Sequence, residues 1–143
     1  MSNLTGEIKR IMGIDRKHTI IIVGAGNIGH ALTNFPGFAE TGFEVKALFD
    51  VNEDLIGTEI KGHPVLDVKD MDEYIRENQI DIGVIAARRS AAQEIADRMC
   101  AAGIRGIWNF VPLDITTSVP IENVHLSESL STLSYKIEHG LLD

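Results

Sequence analysis

The chain has 143 residues, with 13 Lys plus Arg against 21 Asp plus Glu and a formal net charge of −8. That length predicts one domain over residues 1–143, and 44% hydrophobic residues are enough for a core, which excludes a disordered chain. The acidic balance argues against nonspecific nucleic-acid binding by this chain and against a tight hold on an anionic membrane, since both need clustered Lys and Arg. The single cysteine, Cys100, excludes an intramolecular disulfide. No segment reaches about 18 continuous apolar residues, and no secretory pattern opens the chain. A cytoplasmic protein without a membrane contact is expected.

In chain order, Leu4, Ile8, Ile11 and Met12 share one helical face and predict a helix within residues 1–15. It packs either on its own domain or against a partner. The run Thr-Ile-Ile-Ile-Val at 19–23 reads as a strand covered on both faces and leads directly into Gly24-Ala25-Gly26-Asn27-Ile28-Gly29. Ile28, Ala31 and Leu32 then have helical spacing until Pro36 and Gly37 break it, and a strand at 43–49 ends on Asp50. A short strand is expected at 64–68 and a helix around Met71, Tyr74 and Ile75, opened by Asp70, Asp72 and Glu73. Further on come a strand at 82–87, a helix at 91–102 stopped by Gly103, and a strand at 106–111 ended by Pro112. A loop at 113–120 and a last short strand at 124–126 follow. The alternation predicts an α/β fold, a doubly wound, mainly parallel Rossmann sheet.

Gly24, Gly26 and Gly29 follow a strand, open a helix and precede an acid at the next strand end, the context that gives a GxGxxG pattern its meaning. Gly24 permits the tight turn, Gly26 leaves room for a pyrophosphate, and Gly29 lets the helix pack closely on the sheet. Asp50 lies 21 residues beyond Gly29, where a carboxylate accepts hydrogen bonds from an adenosine ribose. Its charge repels a 2′-phosphate, which favours NAD(H) over NADP(H).

These motifs form an ordered set with Asn34-Phe35-Pro36-Gly37-Phe38, Phe49-Asp50-Val51, Ala91-Ala92-Gln93, Gly106-Ile107-Trp108-Asn109-Phe110-Val111-Pro112 and Glu122-Asn123-Val124. In that order and spacing the chain resembles the C-terminal, NAD(H)-binding domain of the Rex redox-sensing transcriptional repressors. The resemblance implies a homodimer whose last helix is swapped between subunits, and a regulator that releases operator DNA on binding NADH. Leu126, Leu130, Leu133, Ile137 and Leu141 form one apolar stripe, which places a dimerisation helix at 127–141. Such a stripe is otherwise ordinary core. The cofactor-binding residues implied are Gly24, Ala25, Gly26, Asn27, Ile28, Gly29, Phe35, Asp50, Val51, Ala86, Ala87, Arg88, Asn109, Phe110 and His125.

The chain departs from the family at three points. No winged-helix DNA-binding domain is present, so DNA binding by this chain alone is not expected. Phe35 and His125 stand where the family carries a Tyr and an Asp that pair near the nicotinamide, and Phe35 cannot donate an O–H. Ala87 and Arg88 replace a Val-Pro. Arg88 and Arg89 either contact a phosphate or form a solvated pair. Asn109 either meets the cofactor or holds a turn. Cys100 reads as a buried, inert thiol, Trp108 as core, and the histidines lack metal-ligand spacing. No Tyr-x-x-x-Lys pair is present, since Tyr74 is followed at that spacing by Asn78 and Tyr135 by His139. With no acid–base constellation beside the glycine loop, a binding module and not an enzyme is expected. That module is the sensory domain of a Rex-like repressor; the alternative is a stand-alone paralogue that binds NAD or coenzyme A without DNA binding or ordinary redox discrimination.

Overall fold

β-Branched residues open the described chain as β1 (His18–Val23), whose Ile20, Ile21, Ile22 and Val23 are all buried. A strand apolar on successive residues needs cover on both faces, and β1 has it at the centre of the sheet. The computed structural model describes residues 18–35, 37–124 and 126–142, without the side chains of residues 27, 39 and 126–129. The helix expected within residues 1–15 lies outside the described residues, as do Pro36 and His125.

After β1 come α1 (Asn27–Thr33), α2 (Gly37–Glu40) and β2 (Phe43–Asp50). Next are β3 (Glu59–Ile60), β4 (His63–Asp67), a 3-10 turn (Val68–Asp70) and α3 (Met71–Asn78). The chain then runs through β5 (Ile82–Ile85), α4 (Arg89–Ala102), β6 (Gly106–Asn109), β7 (Ile121–Asn123) and α5 (Leu126–Glu138). The described strands form a seven-stranded sheet of order β3-β4-β2-β1-β5-β6-β7, parallel throughout except for β3 against β4. The doubly wound architecture is the expected one.

The differences are local. The last strand is Ile121–Asn123, not 124–126, because pairing with β6 sets it: Trp108 faces Glu122 and Asn109 faces Asn123. The β3–β4 hairpin is an addition, turning through Lys61 and Gly62, both at positive φ (51° and 82°), the signature of a tight two-residue turn. Strand β5 stops at Ile85 and β6 at Asn109, short of the expected 87 and 111. Helix α5 ends before 141: Gly140 adopts φ 63° and Leu141 N reaches back to Lys136 O at 2.9 Å, a left-handed stop.

Two clusters fill the two faces. On one, Met71 and Ile75 of α3 and Ala92, Ile95, Ala96 and Met99 of α4 pack on Ile21, Val23, Phe49 and Ile85. A Cβ at Gly83 would stand 2.5 Å from Met99 Sδ, so the bare glycine lets that side chain close onto the sheet. Arg98 ties the two helices, donating from Nε to Asp72 Oδ1 at 2.9 Å and from Nη2 to Val68 O at 2.7 Å. Strands β6 and β7 run parallel, so their connection must cross back over a face. Residues 111–120 do so as an extended strap, with Val111, Leu113, Ile115 and Val119 turned to the same cluster and Pro112, Asp114, Thr116 and Ser118 outward.

Among the described residues the opposite face carries α1 and α2. Phe38 and Leu32 pack on Ile20, Ile22, Leu48 and Val84. Beside them lies an apolar groove of about 520 Å³, lined by Phe35, Phe38, Ile82, Trp108 and Ile121 among others. Among the described side chains of the α5 stripe, Leu130, Leu133 and Ile137 are 69%, 53% and 70% exposed.

Candidate functional site

The carboxyl ends of the central strands are drawn level by backbone bonds just past their paired residues. Gly24 N donates to Phe49 O at 2.7 Å, Ala86 N to Val23 O at 2.8 Å, Phe110 N to Ile85 O at 2.9 Å and Val124 N to Asn109 O at 2.8 Å. Outward from β1 the chain goes to β2 on one side, whereas β5 on the other side is entered later, from α3. A reversal of this kind opens a crevice beyond the strand ends, the usual ligand seat of doubly wound sheets. The glycine loop, Asp50, Val51, Ala86, Ala87 and Arg88 all stand on this edge.

The three glycines do different work. Gly24 has φ +113°, and a Cβ there would sit 2.5 Å from Ala86 O, so only glycine lets the loop lie against the end of β5. A Cβ at Gly29 would run into Gly24 O, with Ile22 Cγ2 next at 3.6 Å. Gly29 thus closes α1 on its own loop first and on the sheet second. Gly26 is exposed at an ordinary φ of −80°, and a Cβ there would meet nothing within 4 Å. Its bare backbone faces open space, and no side chain caps α1. A loop that leaves such an approach fits a pyrophosphate group.

Asp50 has a second job that its position in the sequence did not disclose. Its Oδ2 accepts from Ala25 N at 2.8 Å, and Oδ1 accepts from Val51 N at 2.7 Å and Asn52 N at 2.9 Å. The carboxylate therefore braces the glycine loop from the neighbouring strand. An ionised carboxylate offers roughly four lone-pair sites, so Oδ2 keeps capacity for a ribose hydroxyl.

Arg88 is the extended N-cap residue of α4 and Arg89 its first residue; both are exposed. Among the described residues neither takes part in an ion pair. Two uncompensated guanidinium groups thus stand at the rim of the crevice.

Asn109 has a structural role that the sequence offered as one of two readings. It is 1% exposed, and its Nδ2 faces Val111 O at 3.0 Å, Asn123 Oδ1 at 2.9 Å and Leu113 O at 3.3 Å. Its Oδ1 accepts from Val111 N at 2.9 Å. Asn109 thus holds the start of the strap through its side-chain amide. Phe110 packs edge-on against Trp108, with ring centroids 4.8 Å apart. Phe35 lines the apolar groove and meets Phe38 edge-on at 5.2 Å. The Asn27 side chain and His125 lie outside the described residues.

Cys100 is half-buried, not fully buried as expected, and its Sγ lies 3.1 Å from Thr117 Oγ1. Burial pushes the thiol pKa up, but hydrogen bonds from Thr117, Ser118 and Val119 outweigh it and hold the thiol below its ordinary value. Gln93, quoted above only as part of a motif, clamps the strap through Thr116. Its Ala-Ala-Gln context carried no signal of that partner.

Residues 15–113 match the family described as CoA binding domain. The redox-sensing transcriptional repressor Rex of Clostridioides difficile (strain 630) is 47% identical over 136 residues, 94% of this chain and 65% of the relative. Rex of Clostridium beijerinckii is 44% identical over 142 residues, covering 98% of this chain and 67% of the relative. Among solved structures, RSP, a Rex-family repressor, matches with a TM-score of 0.89 at 41% identity over 97% of this chain and 68% of its own. RSP has also been solved with beta-NADH, and with beta-NAD+ and operator DNA. The chain spans roughly two thirds of the length of these relatives. No helix of the described residues is long and apolar enough to cross a membrane.

Proposed function

The chain belongs to the CoA-binding domain family and to the Rex family of redox-sensing transcriptional repressors, and on that premise we propose that it is the NAD(H)-binding regulatory part of a redox-responsive repressor. The observation that carries the ligand is the open backbone at Gly26 beside a carboxylate, Asp50, which is anchored to the same loop. The loop receives the pyrophosphate, and Asp50 accepts from the adenosine ribose and repels a 2′-phosphate. Arg88 and Arg89 supply counter-charge on the far side of the crevice. That RSP has been solved with beta-NADH supports the same ligand here.

The chain works as a binding module in the cytoplasm, not as an enzyme; its relatives are repressors. Two copies associate through α5, whose Leu130, Leu133 and Ile137 are left exposed by the described residues and whose apolar counterpart is the groove around Trp108. The nucleotide acts by binding two dimer arrangements unequally, which shifts their populations. Contact with operator DNA is not assigned to these 143 residues, whose net charge of −8 disfavours it. A second reading, a paralogue that binds NAD or coenzyme A without DNA, is favoured by one observation: Phe35 lies on Phe38 with no hydroxyl for the family's pair. It expects weak discrimination between NADH and NAD+.

Asp50→Ala tests the ribose role. Hydrogen bonds to a charged group are worth about 1.5–3 kcal/mol, so calorimetric NADH affinity falls by roughly ten- to hundredfold. NADPH affinity falls much less, because the repulsion of its 2′-phosphate disappears as well. Equal losses for both nucleotides would mean that Asp50 acts only as the brace of the loop. Retention of tight coenzyme A binding without NADH binding would move the reading to the paralogue.

A further inference from the structure

Strands β5 and β6 are joined by a helix, α4, but the parallel pair β6 and β7 is joined by the extended strap at 111–120. An extended segment outside a sheet has no internal ladder, so its backbone groups need partners from elsewhere. Side-chain amides supply them. Asn109 holds Val111 and Leu113 at the start. In the middle, Gln93 Oε1 accepts from Thr116 N at 3.0 Å while Nε2 donates to Thr116 O at 2.8 Å, so one amide grips both backbone groups of one residue. The remaining Nε2 hydrogen goes to Asp97 Oδ1 at 2.9 Å. An ionised carboxylate only accepts, so Asp97 fixes which end of the amide is the donor. Two turns further along α4, Cys100 meets Thr117.

Gln93 stands on the second turn of α4, which opens with Arg88 as N-cap and Arg89 as first residue at the rim of the crevice. The strap it grips runs directly into β7 and from there into α5, the helix with the exposed Leu130, Leu133 and Ile137. Helix and strap are thus joined at Thr116, between the nucleotide crevice and the element proposed to meet the second subunit. We propose that Gln93 is a positioning residue that locks the strap to α4 and so makes the placement of α5 on the partner subunit respond to the nucleotide. The inference rests on the NAD(H)-regulated dimer proposed above. A small shift of α4 on ligand contact at its first turn carries Thr116 with it; without the clamp the strap keeps its apolar packing and the Cys100–Thr117 contact but loses the grip on its backbone, and follows α4 less closely. Helix shifts of this size are a recurrent means of coupling a site to an interface.

The test is the dimer dissociation constant of the 143-residue chain by analytical ultracentrifugation, with and without saturating NADH. In the wild type, NADH changes it by about fivefold or more, the lower end of ordinary coupling. Gln93→Ala leaves NADH affinity of the dilute, monomeric chain nearly unchanged but brings that ratio close to unity. Gln93→Glu keeps the size and the acceptor but loses the donor to Thr116 O and sets a second carboxylate beside Asp97; it lowers the ratio as well, and it serves alone if the alanine variant does not fold. Undiminished ratios in both variants overturn the clamp, as does a wild type that binds NADH and dimerises without linkage between the two. A wild type that fails to bind NADH, or to dimerise, overturns the underlying reading and the clamp with it.

Discussion

One face of the sheet is closed by α3, α4 and the strap, which bury Met71, Ile75, Ile95 and Met99 on the central strands. Among the described residues the other face carries two short helices, which leave Ile82, Trp108 and Phe35 around an open groove. Both faces are apolar, so the difference lies not in what the strands offer but in what the same chain supplies to cover them. The closed face is where the domain stores stability. The groove face and the exposed Leu130, Leu133 and Ile137 of α5 are the surfaces that the proposed second copy would bury. The crevice lies at the carboxyl edge shared by both faces, so a ligand there touches structural and associative elements at once.

The contrast can be broken at either face. Met99→Ala on the closed face leaves a cavity over Gly83 and costs about 2–5 kcal/mol in urea unfolding. The loss is independent of protein concentration, because the side chain is fully buried within one chain. A concentration-dependent loss would mean that this face too depends on the partner. Ile137→Glu acts on the other side. The residue is 70% exposed, so monomer stability stays as it was while dimerisation weakens by about 2 kcal/mol, the scale of an interface hot spot. Sedimentation reads that change. A variant that unfolds as a monomer yet dimerises normally would erase the distinction between the faces.

The parts most legible in the sequence are those set by local sterics. A β-branched run, three glycines and an acid at the next strand end place β1, the loop and Asp50 without help from distant residues. β7 is less legible because pairing with β6 defines it, and the apolar residues Val124 and Leu126 just beyond it draw a local reading three residues too far. The strap reads as a loop, since Pro112 and Pro120 bound it and hide the alternation of Val111, Leu113, Ile115 and Val119. Asn109 presents two roles to the sequence, and the turn-holding one becomes visible only in the bonds of its buried amide to Val111, Leu113 and Asn123. Gln93 was unreadable for another reason. Its partner is the backbone of Thr116, 23 residues away, and a backbone partner leaves no mark in side-chain identity.

The central claim is that the edge holding Gly26 and Asp50 takes NAD(H). Calorimetric titration of this chain with NADH, NADPH and coenzyme A addresses it directly. The account predicts saturable binding of NADH, with NADPH and coenzyme A both weaker. Coenzyme A or NADPH binding more tightly than NADH, or no heat with any of the three, would contradict it.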